Sequence, residues 1–201
     1  MKKIFTNLLM MMFLLSVTNV IAQEKAEEAV GAQNAAASAE GAAWEKYMAV
    51  GDMHRMLAEA DGDWKAEMEF WSAPGAPSEK STASCKNEMI LGGRYQQSTF
   101  EGSVMGMPFE GKGLIGYDNL KKVFINTWID NMGTGVSYSE GTYDPKTKSI
   151  TFKGDTMDPM SGKMVKTRSV YKFVDDAHHL FEMYMTYDGK EVKTMAINYT
   201  R

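Results

Sequence analysis

The sequence predicts an all-β fold: an antiparallel, up-and-down β-barrel of about ten strands, preceded by a short N-terminal helix. Three observations carry the prediction. From Trp64 onward apolar and polar residues alternate in twos, the period of a strand with one dry face and one wet face. In DGDWKAEMEFW, residues 61–71, Trp64, Ala66, Met68 and Phe70 oppose Lys65, Glu67 and Glu69. Turn chemistry separates the alternating runs, on connections too short for parallel crossovers. Glycines recur inside the runs, at Gly102, Gly111, Gly113, Gly116 and Gly141, where a small closed barrel needs bends, and no long Greek-key connection is visible. A two-sheet sandwich is the competing architecture.

The chain opens MKKIFTNLLMMMFLLSVTNVIAQ. Lys2 and Lys3 precede an apolar run from Ile4 to Val17, and small residues follow near Ala22. Residues 1–22 read as a secretory signal, which directs the protein to the bacterial periplasm or the exterior. The run falls short of the roughly 20 residues a membrane span requires. No cysteine stands at the cleavage site, which argues against a lipoprotein. Residues 23–43 are rich in Ala and Glu and hold no aromatic side chain, so a flexible spacer is expected. Residues 44–201 form the folded domain, a helix plus a single barrel.

Within that domain Trp44, Tyr47 and Met48 share a face at helical spacing, and Met53, Met56, Leu57 and Ala60 do so after a break. Asp52 can cap the second segment and Gly62 stops it. Strands then alternate with turns at Ala73–Pro77, Leu91–Gly93, Gly106–Pro108, Asp118–Asn119, Asn131–Gly133, Asp144–Lys146, Asp158–Gly162, Asp175–Asp176 and Asp188–Gly189. The last is a strong hairpin signal.

Several strands have a clear inner side. Val165, Thr167, Ser169, Tyr171 and Phe173 oppose Lys166, Arg168 and Lys172, and Phe181, Met183, Met185 and Tyr187 oppose Glu182. Met195, Ile197 and Tyr199 share a side with Arg201. The strand 122–130 is apolar on both sides, and Val123, Ile125, Thr127 and Ile129 are assigned inward. The inward set mixes methionine, an adaptable filler, with hydroxyl-bearing residues. Two readings of the interior therefore compete. One is a cavity for a small apolar or amphipathic molecule, lined by Met68, Tyr171, Phe173, Met183, Met185, Tyr187 and Met195 with His54 on the helix above it. The other is a filled core whose loops, around Gly106–Pro108 and Asn131–Gly133, meet a partner.

Charge and motifs narrow the classes. The formal net charge is −4, and the loss of Lys2 and Lys3 makes the remainder more acidic, a poor match for nucleic acid. A single cysteine, Cys85, cannot form an internal disulfide and reads as a buried residue. No Gly-x-Ser-x-Gly, Walker A or dinucleotide fingerprint is present, so no catalytic residue is assigned. A cleft holding Asp130, Arg94 or Tyr117 is the one enzymatic arrangement considered. The three histidines are not spaced as metal ligands, and no metal or cofactor is expected. Haem would need an axial ligand, for which His179 is the one late candidate.

A short helix, Gly62-Asp63-Trp64 opening the first strand and a lone arginine on the last strand resemble the lipocalin-like (calycin) superfamily. That resemblance implies that Trp64 closes one barrel end and Arg201 packs over it. A closer resemblance runs from about His54 to Arg201 through "HRMLAEADGDW", "FWSAPG", "LGGRY", "GYD", "EGTYD" and "INYTR". On these segments the chain is identified as a member of the family known as domain of unknown function 1579. Membership implies a lipocalin-like β-barrel and brings no activity with it.

Overall fold

The computed structural model describes the backbone of residues 2–73 and 75–201, and the side chains of these residues except 2–22, 24 and 26. The expected export signal, residues 1–22, lies outside the described side chains. Among the described residues no helix is long and apolar enough to cross a membrane.

The chain divides into two units, residues 1–48 and 49–201. The first is the helix α1 (Lys2–Met48). It takes in residues 23–43, expected as a flexible spacer. Ala and Glu are strong helix formers, and these residues are helical although every described side chain among them is exposed. Trp44, Tyr47 and Met48 also belong to α1, and the barrel unit runs from Ala49 to Arg201.

The second unit opens with the short helix α2 (Asp52–Ala58). Ten strands follow: β1 (Gly62–Phe70), β2 (Glu79–Ile90), β3 (Tyr95–Val104), β4 (Met107–Asp118), β5 (Val123–Asp130), β6 (Ser137–Asp144), β7 (Ser149–Asp158), β8 (Lys163–Asp175), β9 (His178–Tyr187) and β10 (Lys190–Thr200). Each pairs antiparallel with its neighbours in sequence, and β1 pairs with β10 to close the barrel. Closure leaves the sheet without a free edge strand. At Asp188-Gly189 both residues have positive φ, 49° and 77°, the geometry of a tight primed hairpin turn.

The face of β5 is the reverse of the one expected. Phe124 is 1 % exposed, and Asn126, Trp128 and Asp130 also face inward, whereas Ile129 is 47 % exposed. The reason lies on β4. A Cβ at Gly111 would stand 2.5 Å from the Trp128 ring, so the glycine makes room for the indole inside. The Val/Ile side satisfies strand preference on the outside without needing full burial.

The two barrel ends differ. One carries α2, the loops 91–94, 119–122, 145–148 and 176–177, and Arg201; its interior is filled by Leu57, Trp64, Phe124 and Ile150. The other carries the loops 71–78, 105–106, 131–136, 159–162 and 188–189, and opens into a cavity.

Candidate ligand-binding cavity

Strand alternation builds the cavity from the inward residues of neighbouring strands, and its volume is about 470 Å³. On one side β1, β9 and β10 supply Met68, Met183, Met185 and Met195 with Phe181 and Ile197. Met195 lies directly across from Met183, and Met68 pairs with Ile197, two residues further along, so the thioethers form one contiguous wall. On the other side β5, β6 and β8 supply Asn126, Asp130, Ser137, Ser139, Thr167 and Ser169. Cys85, Phe100, Phe152, Tyr171 and Tyr199 line its inner part.

The deepest polar groups are tied to the helix end. Asn87 donates to the Ala60 carbonyl at 3.0 Å and accepts from Ser98 at 2.7 Å. Gln96 donates to the Leu57 carbonyl and to the Asp61 carboxylate. Trp64 donates from its indole nitrogen to Ala60 at 2.9 Å and is 3 % exposed. The Arg201 guanidinium stands 4.4 Å from the Trp64 ring centre and donates to the carbonyls of Asp176, Asp61 and Glu59. From within, the His179 ring packs on Trp64 with centroids 4.4 Å apart, and its Nδ1 hydrogen-bonds the Tyr171 hydroxyl at 2.8 Å. Burial pulls the His179 pKa down to about 4, with Arg201 adding to the fall, and pushes the Tyr171 phenol up.

Of the residues singled out in the sequence, Met68, Tyr171, Met183, Met185 and Met195 line the cavity. Phe173 does not: it packs on His179 at the closed end. Tyr187 stands outside the lining, its hydroxyl 3.2 Å from the Met185 sulfur. His54, 3 % exposed, also lies outside it; its Nδ1 accepts from the Gly51 N–H at 3.1 Å, and burial lowers its pKa. Asp130 is at the cavity mouth, whereas Arg94 and Tyr117 are at the other end, so these three form no common cleft. Sequence reasoning passed over Asn87 and Gln96, since polar residues on an alternating strand carry no mark of the distant carbonyls they meet. His178 and His179, adjacent at the start of β9, point to opposite faces as strand alternation requires: His178 is exposed and bonded to Asp175, and His179 is buried.

Burial pushes the Cys85 thiol up to about 12, far from a thiolate. In the Tyr171–His179 pair burial disfavours the charged form of both partners, which works against activation of the phenol. Among the described residues no group of three or more His, Cys, Asp or Glu side chains could hold a metal ion. His179, the axial candidate for haem, is bonded to Tyr171 and stacked on Trp64 outside the lining, so this residue does not fit that role.

The model of the family described as "Protein of unknown function (DUF1579)" matches residues 49–201, the whole barrel unit. The chain belongs to the DUF1579 family. A search of curated proteins found no match. Among solved structures the DUF1579 barrel is similar to Rv2717c from M. tuberculosis, with a TM-score of 0.56 and 14 % identity over 76 % of this chain and 99 % of that one. A redesigned β-barrel aligns with a TM-score of 0.39 and 14 % identity over 75 % of this chain and 98 % of that one. A DUF3598-family protein of unknown function from Nostoc punctiforme aligns with a TM-score of 0.22 and 7 % identity over 76 % of this chain and 100 % of that one. At such identities the likeness to Rv2717c speaks to fold alone.

Proposed function

We propose that this DUF1579 protein is an exported, lipocalin-like barrel, periplasmic or extracellular, that holds a small and largely apolar molecule in its interior. The observation that carries the binding reading is the cavity of about 470 Å³, a size typical of small-molecule sites, with a methionine wall facing a polar one. Methionine adapts to ligand shape through its unbranched, polarisable side chain. Export is inferred from the sequence of residues 1–22 and the lipocalin-like kinship from the Gly62-Asp63-Trp64 step with Arg201. Titration with the neutral fluorophore N-phenyl-1-naphthylamine tests the binding reading. Saturable enhancement with one site per chain is expected, and Ser169→Phe, which puts a ring into the cavity, should abolish it. A linear response, unchanged by Ser169→Phe, would defeat the proposal.

A further inference from the structure

We infer that the cavity is polarised for a cationic amphiphile, its basic head at Asp130 beside Trp128 and its apolar body along the methionine wall; this rests on the binding reading above. Among the described residues the lining contains no Lys, Arg or His. Asp130 is the carboxylate on its inward face. Asp155 also borders the cavity, but it alternates with inward Thr156 on β7 and is exposed on the outer side. A ligand carboxylate would bring its charge into a wall with no cationic partner and one carboxylate, which is unfavourable twice over. An ammonium group meets the opposite situation.

The head-group site is held in place before any ligand arrives. Asp130 Oδ2 accepts the Trp128 indole N–H at 2.6 Å, and Oδ1 accepts the Met132 backbone N–H at 3.0 Å. Each oxygen keeps a further lone pair for a ligand N–H. Phe109 stacks on Trp128 at 6.4 Å and Phe100 meets it edge-on at 5.2 Å, which fixes the indole. An aromatic face beside a carboxylate is a favourable setting for an organic cation. The residue ends β5 at the open end, so the head would stay near water while the body passes inward.

Deeper in, two hydroxyls await a partner. Ser169 and Tyr199 are 8 % and 7 % exposed and line the cavity, yet neither hydroxyl makes a hydrogen bond to any described residue. No fully enclosed side-chain nitrogen or oxygen among the described residues lacks a partner, so these two oxygens face the cavity space itself. Buried hydroxyls are normally bonded, and an occupant with a polar group at its inner end would satisfy them.

The test is competition against N-phenyl-1-naphthylamine on the full chain at neutral pH, with decylamine, decan-1-ol and decanoate, which differ in head group alone. Decylamine should bind at least about tenfold more tightly than decanoate, with the alcohol between them. Asp130→Asn should weaken decylamine about tenfold and leave decan-1-ol within about twofold. Decanoate binding as tightly as decylamine to the unaltered protein would overturn the assignment, and this comparison stands even if Asp130→Asn fails to fold. Equal weakening of amine and alcohol by Asp130→Asn would also overturn it, by making Asp130 a support of the loop at Met132. Failure of the fluorophore itself to bind would instead remove the binding reading beneath it.

Discussion

At the closed end of the barrel the polar groups that enter the interior are bonded to one another or to backbone: Asn87 to Ala60, Gln96 to Leu57 and Asp61, His179 to Tyr171, Arg201 to three carbonyls. Its loops are charged, with Lys121 and Lys122 in one, Lys146 and Lys148 in another and Asp176 in a third. At the open end, loops 105–106 and 131–136 carry no charge, and Met105, Met107, Met132, Met157, Met160 and Met164 are exposed around the mouth. Ser169 and Tyr199 face the adjoining cavity, their hydroxyls without a hydrogen-bond partner among the described residues. The same hairpin architecture thus has one end finished for stability and one that leads to hydroxyls with unmet bonds. Proteins commonly concentrate unmet interactions where they bind.

That contrast can be broken most directly with paired substitutions. Trp64→Ala should cost about 3–5 kcal/mol in urea unfolding, because it removes a buried ring and one of the two side-chain donors to the Ala60 carbonyl. Met132→Ala, at the open rim, should stay within about 0.5 kcal/mol. Comparable losses at both positions would erase the distinction between the ends.

Acidification should weaken the closed end next. The native pKa of His179 lies near 4, below the ordinary value of 6.5, so the folded state binds fewer protons than the unfolded chain between these limits. Stability is therefore fully present above about pH 6.5 and falls as pH drops toward 4, by on the order of 2–3 kcal/mol. Buried His54, shifted in the same direction, adds to the fall. His179→Gln should flatten this slope in unfolding measured from pH 7 to 4; an unchanged slope would locate the acid sensitivity elsewhere.

Arg201→Ala should lower stability by about 1–2 kcal/mol through its contact with the Trp64 face. A cycle with Trp64→Phe sharpens the point, since contacting residues couple by about 0.5 kcal/mol or more. Strictly additive losses would mean that the carbonyl contacts of Arg201, not the indole, hold it. The smallest effect on stability belongs to the open rim. Dilute peroxide should oxidise Met105, Met160 and Met164 well before Met68, which is 3 % exposed, with the melting temperature nearly unchanged. Peptide mass spectrometry reads the order.

The strand sequence was legible because alternation and turn residues are local signals: Trp64 to Phe70 and Val165 to Phe173 display their inner sides without reference to any partner. The face of β5 was not legible, because Val123, Ile125 and Ile129 compete with Phe124 and Trp128 for the inside, and the deciding feature is Gly111 on another strand. Half of the cavity was readable for a similar reason. Methionines such as Met183 and Met195 stand out on alternating strands, whereas Ser139 and Asn126 look like surface residues until the barrel closes around them. The helical state of residues 23–43 follows from composition, but a polar helix without a buried face gives no periodic signal to read.

The seam between β1 and β10 has a kinetic meaning. The other strand pairs join neighbours in sequence, while this one joins the two ends of the barrel unit, and the Arg201–Asp61 contact beside it spans 140 residues. Hairpins can form as the chain is made, but the ring cannot close until β10 is available, and the loop it closes is long. During synthesis β1 must wait with Trp64, Met68 and Phe70 uncovered on one side. Under the export proposed above, that delay would leave the step that locks the barrel for the far side of the membrane.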